Sequence, residues 1–296
     1  MNSLVYTERH NIDHLKWDKA IEEAANGNVY AKSFLLDLMS PNWSALIMND
    51  YEMVMPLTWR KKYGISYLYQ PPFLQQLGVF GNKIRDHVPE FLHMAKNQFP
   101  FAEIQLNHQH ADADGEPKQN FFIDLNRSYS DLAASYAPVH QKNLKRAANA
   151  SLHYVSSHRY KAAIELNYSL YGQKSGLQIH AYEQLDVLAQ QNPGQVLVRE
   201  VWQEQECQAS AFCLKDHRRI YFLLSAVTPA GKKSQANHFL VDQLIHEFSG
   251  RPVILDFEGS DIAGIAAFYK GFGAVNEPYY FCKWNHLPWP YRLFKR

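Results

Sequence analysis

The strongest constraint on the fold is an alternation of strand and helix patterns in the second half of the chain. Apolar runs predict strands at 196–201, 208–214 and 219–226, and the short polar turns between them predict an antiparallel meander. An amphipathic stretch at 234–248 predicts a long helix after the meander. With the flanking segments, the predicted order is β-α-α-β-β-β-α-β-α-β. This order favours an α/β fold (an α+β mixed sheet) with helices on both faces.

The first half of the chain repeats this order in weaker form. Its patterns predict helices at about 14–25 and 83–98, with strands before, between and after them. The repeat is one of element order and not of residue identity. We therefore predict two units of one architecture, 1–128 and 151–296, joined by a helical linker at 129–150.

The bulk composition indicates a folded protein without a strong global charge. Of the 296 residues, 46% are hydrophobic and 20% are charged, and the net charge of +1 offers no global field for nucleic acid or an anionic membrane. Three cysteines without a Cys-x-x-Cys pair argue against a disulfide framework or a zinc site. Neither a signal-peptide pattern nor an apolar run of about 18 residues is evident, so we expect a cytoplasmic protein without a membrane span.

One segment near the C-terminus combines a carboxylate pair with a phenol. An apolar run ends at Asp256 and Glu258, and a short predicted helix carrying Tyr269 follows and ends at a glycine. If the strand continues, Asp256 and Glu258 point to the same side. Acyl transfer to an amine requires one group that takes a proton and another that returns it, and these residue types meet that need.

Three segments resemble the tandem GNAT acyltransferase fold of Fem-type aminoacyl transferases. The basic stretch Gln-Lys-Asn-Leu-Lys-Arg-Ala at 141–147 looks like the helix that opens their second unit. The stretch Ile-Leu-Asp-Phe-Glu-Gly-Ser at 254–260 looks like their penultimate strand and turn, and 266–274 is similar to the late helix that ends in a glycine. The resemblance covers nearly the whole chain in element order. It implies two GNAT-like units with the acyl-CoA N-acyltransferase fold.

The resemblance also implies where an acyl donor would bind. In this fold two central strands of a unit splay apart, and the donor lies between them, with its pyrophosphate on backbone amides at the start of the following helix. The corresponding residues here are Lys232, Lys233, Ser234, Gln235, Ala236 and Asn237. Gly231 and Ser234 stand where the usual motif has a basic residue and a glycine. An ordinary turn with Ser234 as helix N-cap is the alternative interpretation.

The corresponding loop of the first unit, 70–78, is unsuited to a pyrophosphate because Pro71 and Pro72 lack amide donors. We therefore expect the first unit to be degenerate and to shape a groove for the acceptor. The residues that would line this groove are Tyr63, Tyr67, Tyr69 and Phe73 with the basic run Arg60-Lys61-Lys62. Strand core and a solvated turn are the alternative.

The predicted function is transfer of an acetyl or longer acyl group to the amine of a small molecule or peptide by direct attack. Acyl-CoA would be a co-substrate, and no permanently bound cofactor is expected. The resemblance makes Tyr269 the acid, with Asp256 or Glu258 as the base; aromatic packing and helix capping are the alternatives. A Fem-type enzyme using aminoacyl-tRNA is disfavoured by the short linker and the net charge of +1, and a non-catalytic binding protein is the other alternative.

A group of histidines and aspartates also requires interpretation. His108 and His110 share a face at the end of a predicted strand, and Asp112 and Asp114 follow. Imidazole and carboxylate are both metal ligands. Surface polar loops have the same composition, and we predict no metal site here.

Overall fold

The structure is a computed structural model that describes residues 3–111, 113–259 and 261–294, without the side chains of 293 and 294. The chain forms two compact units. The first unit consists of Met1–Gln119 together with Pro278–Arg296, and the second is Asn120–Glu277. Each unit is built around its own sheet.

The strands of the described residues are, in chain order, β1 (Leu4–Glu8), β2 (Trp43–Met48), β3 (Met53–Lys62), β4 (Ile65–Tyr69), β5 (Phe80–Gly81), β6 (Phe101–Leu106), β7 (Glu116–Lys118), β8 (Phe121–Asp124), β9 (Leu152–Ser157), β10 (Val196–Gln203), β11 (Glu206–Lys215), β12 (Arg219–Val227), β13 (Ile254–Asp256), β14 (Val275–Asn276) and β15 (Tyr279–Asn285). The α-helices are α1 (His14–Glu23), α2 (Ser33–Met39), α3 (Val88–Gln98), α4 (Tyr129–Ala134), α5 (Pro138–Ala148), α6 (Tyr160–Ser175), α7 (Ile179–Gln191), α8 (Pro229–Lys233), α9 (Ala236–Phe248) and α10 (Ala263–Lys270).

The sheet of the first unit has the order β1-β2-β3-β4-β6-β15-β7, with β5 also paired to β3. Every residue of β2 is buried, as expected for a strand covered on both faces. α1 begins at Asp13, whose carboxylate accepts hydrogen bonds from the amides of Leu15 and Lys16, and it buries Trp17 and Ile21. The core of this unit also contains Phe91 of α3 and Trp284 of β15.

The sheet of the second unit has the order β14-β8-β13-β12-β11-β10-β9. α9 covers one face and buries Leu240, Val241, Leu244 and Ile245. α6 packs against β11 and β12 as well. The helical arrangement around a mixed sheet is the predicted fold class, and the meander of β10, β11 and β12 is antiparallel as predicted.

The structure divides the chain differently from the predicted boundaries of 1–128, 129–150 and 151–296. The last strand, β15, was expected in the second unit but pairs with β6 of the first, from Tyr280↔Leu106 to Asn285↔Phe101. β8, expected in the first unit, pairs with β13 of the second. Apolar alternation shows that a segment is a strand, but it does not show which sheet the strand completes.

The predicted linker at 129–150 belongs to the second unit. α4 and α5 contribute the buried residues Leu132 and Ala147 to its core. Pro138 begins α5 and does not interrupt a longer helix, because the missing amide hydrogen of a proline costs nothing at the first helical position. In the first unit, Val29–Ala31 forms a 3-10 turn capped by Asn28.

Candidate functional site

The central strands β12 and β13 of the second unit part after a short parallel contact. They pair only at Arg219↔Ile254, Ile220↔Leu255 and Tyr221↔Asp256. Beyond this point β12 continues to Val227, and within the described residues no strand pairs with 222–227 on that side. This arrangement leaves an opening beside the free edge of β12.

A β-bulge lies where the two strands part. The pairing of β11 with β12 changes register between Phe212↔Leu224 and Leu214↔Tyr221. Phe222 and Leu223 of β12 are therefore both opposite Cys213. A bulge of this kind bends its strand and increases the local twist, which gives a physical reason for the departure of β12 from β13.

The free edge of β12 presents hydrogen-bond donors. The amide of Thr228 donates to the carbonyl of Gln208 at 2.9 Å, so by the alternation of an antiparallel ladder Ser225 and Val227 point their backbone groups away from β11. Asn167 Nδ2 donates to the carbonyl of Ser225 at 2.7 Å, and Tyr171 Oη donates to that of Val227 at 3.4 Å. The amide hydrogens of Ser225 and Val227 have no acceptor among the described residues.

Tyr269 is connected to the point of parting through aromatic contacts. Its ring stacks on that of Phe257 at a centroid distance of 4.4 Å, and Phe257 contacts Phe222 edge-on at 5.8 Å. The residue is 9% exposed, and burial together with the negative charge of Glu258 raises the pKa of its phenol. The phenol is therefore protonated at neutral pH, which is the form that a proton donor needs.

The two carboxylates differ sharply in their surroundings. β13 ends at Asp256, and Glu258 adopts a left-handed backbone with φ of 58°. The strand therefore does not continue, and the condition under which both carboxylates would point to the same side is not met. A non-glycine residue in this region is strained, and such strain is concentrated at functional sites. Glu258 is half-buried, and its charge raises the pKa of both Tyr269 and Cys213.

Asp256 is held in a buried ion pair. It is 1% exposed, and its Oδ2 accepts from Arg219 Nη1 at 2.5 Å and from Asn120 Nδ2 at 3.3 Å. Its Oδ1 accepts from the amide of Glu258 at 2.8 Å. Because both oxygens are occupied, the geometry gives Asp256 a structural role in shaping the turn. Of the two candidate bases, this geometry favours Glu258.

Arg219 and its second partner, Glu277, were not singled out by the sequence. Arg219 Nη2 also contacts Glu277 Oε2 at 3.0 Å. Burial opposes the charge of Arg219, but Asp256 and Glu277 outweigh this effect and raise the pKa of the guanidinium. These residues are 37 and 58 positions from Arg219 along the chain, so no local pattern connects them.

The segment expected to hold the donor phosphates is more regular than a loop. α8 occupies Pro229–Lys233, and Thr228 Oγ1 caps it by accepting from the amide of Gly231 at 2.9 Å. The amides of Ser234 and Gln235 bond to the carbonyls of Ala230 and Lys232. Ser234 is therefore not the N-cap of the long helix; Gln235, with φ of 63°, precedes it.

The structure separates the six residues predicted to bind the donor into two groups. Lys232 and Lys233 are exposed at the end of α8. Ala236 and Asn237 lie in the first turn of α9, where backbone amides lack partners within the helix and the helix dipole favours an anion. In the described part of the chain the amides of Ala236 and Asn237 have no acceptor, but Ala236 is fully buried, so of these two amides only that of Asn237 is accessible to a ligand.

The corresponding place in the first unit is closed by the chain itself. The amide of Leu77 donates to the carbonyl of Gln105, and the amide of Asn107 donates to the carbonyl of Leu77, both at 2.9 Å. The segment after β4 thus remains hydrogen-bonded to β6. It occupies the edge of β6 beyond the parallel contact of β6 with β4.

His110 has a structural environment. It is 1% exposed, its Nε2 accepts from the amide of Val79 at 3.0 Å, and its Nδ1 faces Asn107 Oδ1 at 3.0 Å. Burial lowers the pKa of His110 to about 4. Across the described ranges, no group of three histidine, cysteine or acidic side chains is placed to hold a metal. Asp112 and Ser260, which belonged to predicted segments, lie outside the described residues.

Among the described helices, none has both the length and the apolar character needed to cross a membrane.

Comparisons with known proteins give likenesses in structure. No protein-family model matches the chain, and no curated protein matches it. The crystal structure of FemX aligns with 95% of this chain and 97% of its own, with a TM-score of 0.68 and 12% sequence identity. The structure of L-PGS from Bacillus licheniformis covers 95% of both chains, with a TM-score of 0.57 and 12% identity.

A tandem GNAT protein from the clavulanic acid biosynthesis pathway is also similar. It aligns with 97% of this chain and 99% of its own, with a TM-score of 0.56 and 10% identity. At such identities the likeness concerns the fold. The resemblance predicted from the sequence is confirmed at this level: the chain has the tandem GNAT-like fold that FemX shares.

Proposed function

We propose that this protein is an N-acyltransferase that works by direct attack of an amine on a bound acyl donor. The observation that carries the proposal is the opening between β12 and β13. Its edge carries the outward amides of Ser225 and Val227, and its point of parting is linked to Tyr269 through the rings of Phe222 and Phe257. The tandem GNAT-like fold supports the same class of reaction. Fold alone does not determine function, so the proposal rests on the residues at this opening.

Each group at the opening has a part in the proposed reaction. The nitrogen of the acceptor attacks the acyl carbonyl carbon, and one outward amide of β12, that of Ser225 or that of Val227, stabilises the negative charge on the carbonyl oxygen. A carbon–nitrogen bond forms and the bond to the leaving group breaks. Glu258, directly or through water, takes the proton released from the nitrogen. Tyr269 gives a proton to the leaving thiolate or alkoxide.

Acyl-CoA is the first candidate donor. Lys232, Lys233 and the amide of Asn237 would contact its phosphates, because the two ammonium groups supply positive charge and the first turn of α9 supplies an amide donor. Ala236 is fully buried and is not expected to take part. The acyl chain would lie beside the free edge of β12. The acceptor is the amine of a small molecule or peptide.

A second candidate donor is an aminoacyl ester of tRNA. One observation favours it: the amides of Gly231, Ser234 and Gln235 already bond within the chain, so fewer donors remain for a pyrophosphate. An aminoacyl ester carries no pyrophosphate and does not need this cradle. The net charge of +1 weighs against a large RNA surface.

Thermal unfolding with acetyl-CoA, longer acyl-CoAs and free coenzyme A tests the donor. A ligand that binds only the native state adds about 2.7 kcal/mol at a hundredfold excess over Kd, so we expect a clear rise in Tm with acyl-CoA. If acyl-CoA gives neither a rise in Tm nor turnover, and aminoacyl-tRNA gives both, the donor is the second candidate. Failure of both donors would make the protein a binding module and would refute the proposed function.

A further inference from the structure

A groove of about 500 Å³ lies in the first unit, on one face of the β3–β4 hairpin. Its floor is apolar and consists of Ile65, Phe101 and Leu287, and its walls carry the rings of Tyr63, Tyr67 and Tyr291. This volume lies within the range of small-molecule sites, which are mostly apolar with a few polar groups.

The hairpin holds the groove in a defined shape. Its two-residue turn, Tyr63-Gly64, has positive φ at both positions, 52° and 82°, which is the turn geometry that matches the twist of paired strands. The register pairs Arg60 with Tyr67 and Lys62 with Ile65, so these side chains share one face. Tyr67 and Phe101 meet edge-on at a centroid distance of 6.2 Å.

The polar part of the groove is cationic. Lys62 lines it, with Nζ 5.4 Å from the centroid of the Tyr63 ring. Arg60, on the same face, lies 4.2 Å over the ring of Tyr69. Within the described residues, neither cation has a carboxylate at ion-pair distance. The groove therefore combines aromatic walls with a positive charge that the chain itself does not neutralise.

We propose that this groove binds a planar aromatic molecule that carries an anionic group. The ring lies among Tyr63, Tyr67 and Tyr291, and the phosphate or carboxylate of the ligand meets Lys62. Aromatic walls favour a flat ring through stacking and edge contacts, and the unneutralised ammonium favours an anion. The site belongs to the first unit and does not depend on the acyl transfer proposed for the second.

Isothermal titration calorimetry with naphthyl phosphate tests this proposal. Naphthoate replaces the phosphate by a carboxylate, naphthol lacks the anion, inorganic phosphate lacks the ring, and octanoate replaces the ring by an aliphatic chain. We expect naphthyl phosphate or naphthoate to saturate one site about tenfold more tightly than naphthol, inorganic phosphate or octanoate. The proposal is overturned if neither naphthyl phosphate nor naphthoate shows saturable binding. It is also overturned if octanoate binds as tightly as the aromatic anions.

Matched variants locate the site. Lys62→Ala should weaken the aromatic anion about fivefold and leave naphthol unaffected, because one charge-assisted contact is lost. Lys61→Ala is the control, since Lys61 pairs with Ser66 on the opposite face. Tyr63→Ala, at a side chain 79% exposed, should weaken both ligands without affecting folding. Equal losses in Lys61→Ala and Lys62→Ala would place the binding elsewhere.

Discussion

Tyr269 can serve both core packing and proton donation. Its ring is part of the second core, stacked on Phe257, while its hydroxyl has no hydrogen-bond partner among the described residues. The packing interpretation and the catalytic interpretation, which were alternatives in the sequence, are therefore compatible in the structure.

Tyr269→Phe separates the two interpretations. The variant keeps the stacked ring and removes only the hydroxyl, so we expect Tm to change little and turnover to fall about a hundredfold. The measurement is steady-state turnover with the donor identified by thermal unfolding. Tyr168→Phe is the control, because it removes a hydroxyl from another aromatic ring of the second unit, which packs edge-on against Tyr182 of α7 and is not part of the stack with Phe257. Unchanged turnover in Tyr269→Phe would remove the acid role.

Helices α5, α9 and α10 meet around two histidines whose packing depends on their being neutral. His140 is 5% exposed, its Nε2 donates to the carbonyl of Phe268 at 2.9 Å, and its ring lies 4.8 Å from that of His238. Burial lowers the pKa of His140, and burial and then His140 lower the pKa of His238 to about 4. Each histidine therefore titrates at lower pH in the folded than in the unfolded chain.

This helix junction predicts acid sensitivity. Because the folded-state pKa is depressed, the stability present above the unfolded value of 6.5 is lost as pH falls from 6.5 towards about 4. We expect the urea midpoint of the second unit to fall across this window. His238→Phe should reduce the fall, whereas His180→Gln, at an exposed position, should not. An identical pH profile in His238→Phe would contradict the assignment.

Elements with their own local signals could be predicted from the sequence. α10, at Ala263–Lys270, is the short helix that was predicted to carry Tyr269 and to end at a glycine, because an apolar helical run is followed there by Gly271. The opening beside β12 was implied only by the family resemblance. No local pattern predicts it, since it depends on a bulge whose extra residue is defined only by pairing with β11. The ion pair of Arg219 with Asp256 could not be predicted from a local pattern either, because Arg219 begins β12 and Asp256 ends β13.

At the scale of the whole molecule, each sheet takes a strand that the sequence order assigns to the other half. β8 follows the first unit in the chain but completes the second sheet, and β15 follows the second unit but completes the first. Trp284 of β15 donates to the carbonyl of Phe99 at 2.8 Å and is 6% exposed. The repeated element order predicted that there are two units. It did not predict which sheet β8 and β15 would join.

A chain ending at Glu277 tests the dependence of the first unit on β15. Trp202 is the only tryptophan of the sequence within 120–277, so in a Trp202→Phe background tryptophan fluorescence reports on the first unit. We expect the fluorescence midpoint of the shortened chain to lie at a lower urea concentration than that of the control. Circular dichroism should still show the unfolding of the second unit at a higher urea concentration. A chain ending at Asn285, which keeps β15, is the control. Equal fluorescence midpoints would contradict the prediction.

The position of β15 also has a consequence for synthesis on the ribosome. The second unit has all the strands of its sheet once residue 277 has emerged, whereas the first unit, made earlier, still lacks β15. Nascent domains usually fold in the order in which they are made. Here the sheet of the first unit stays incomplete, with one edge of β6 unpaired, until β15 leaves the exit tunnel. The order of completion is therefore the reverse of the order of translation.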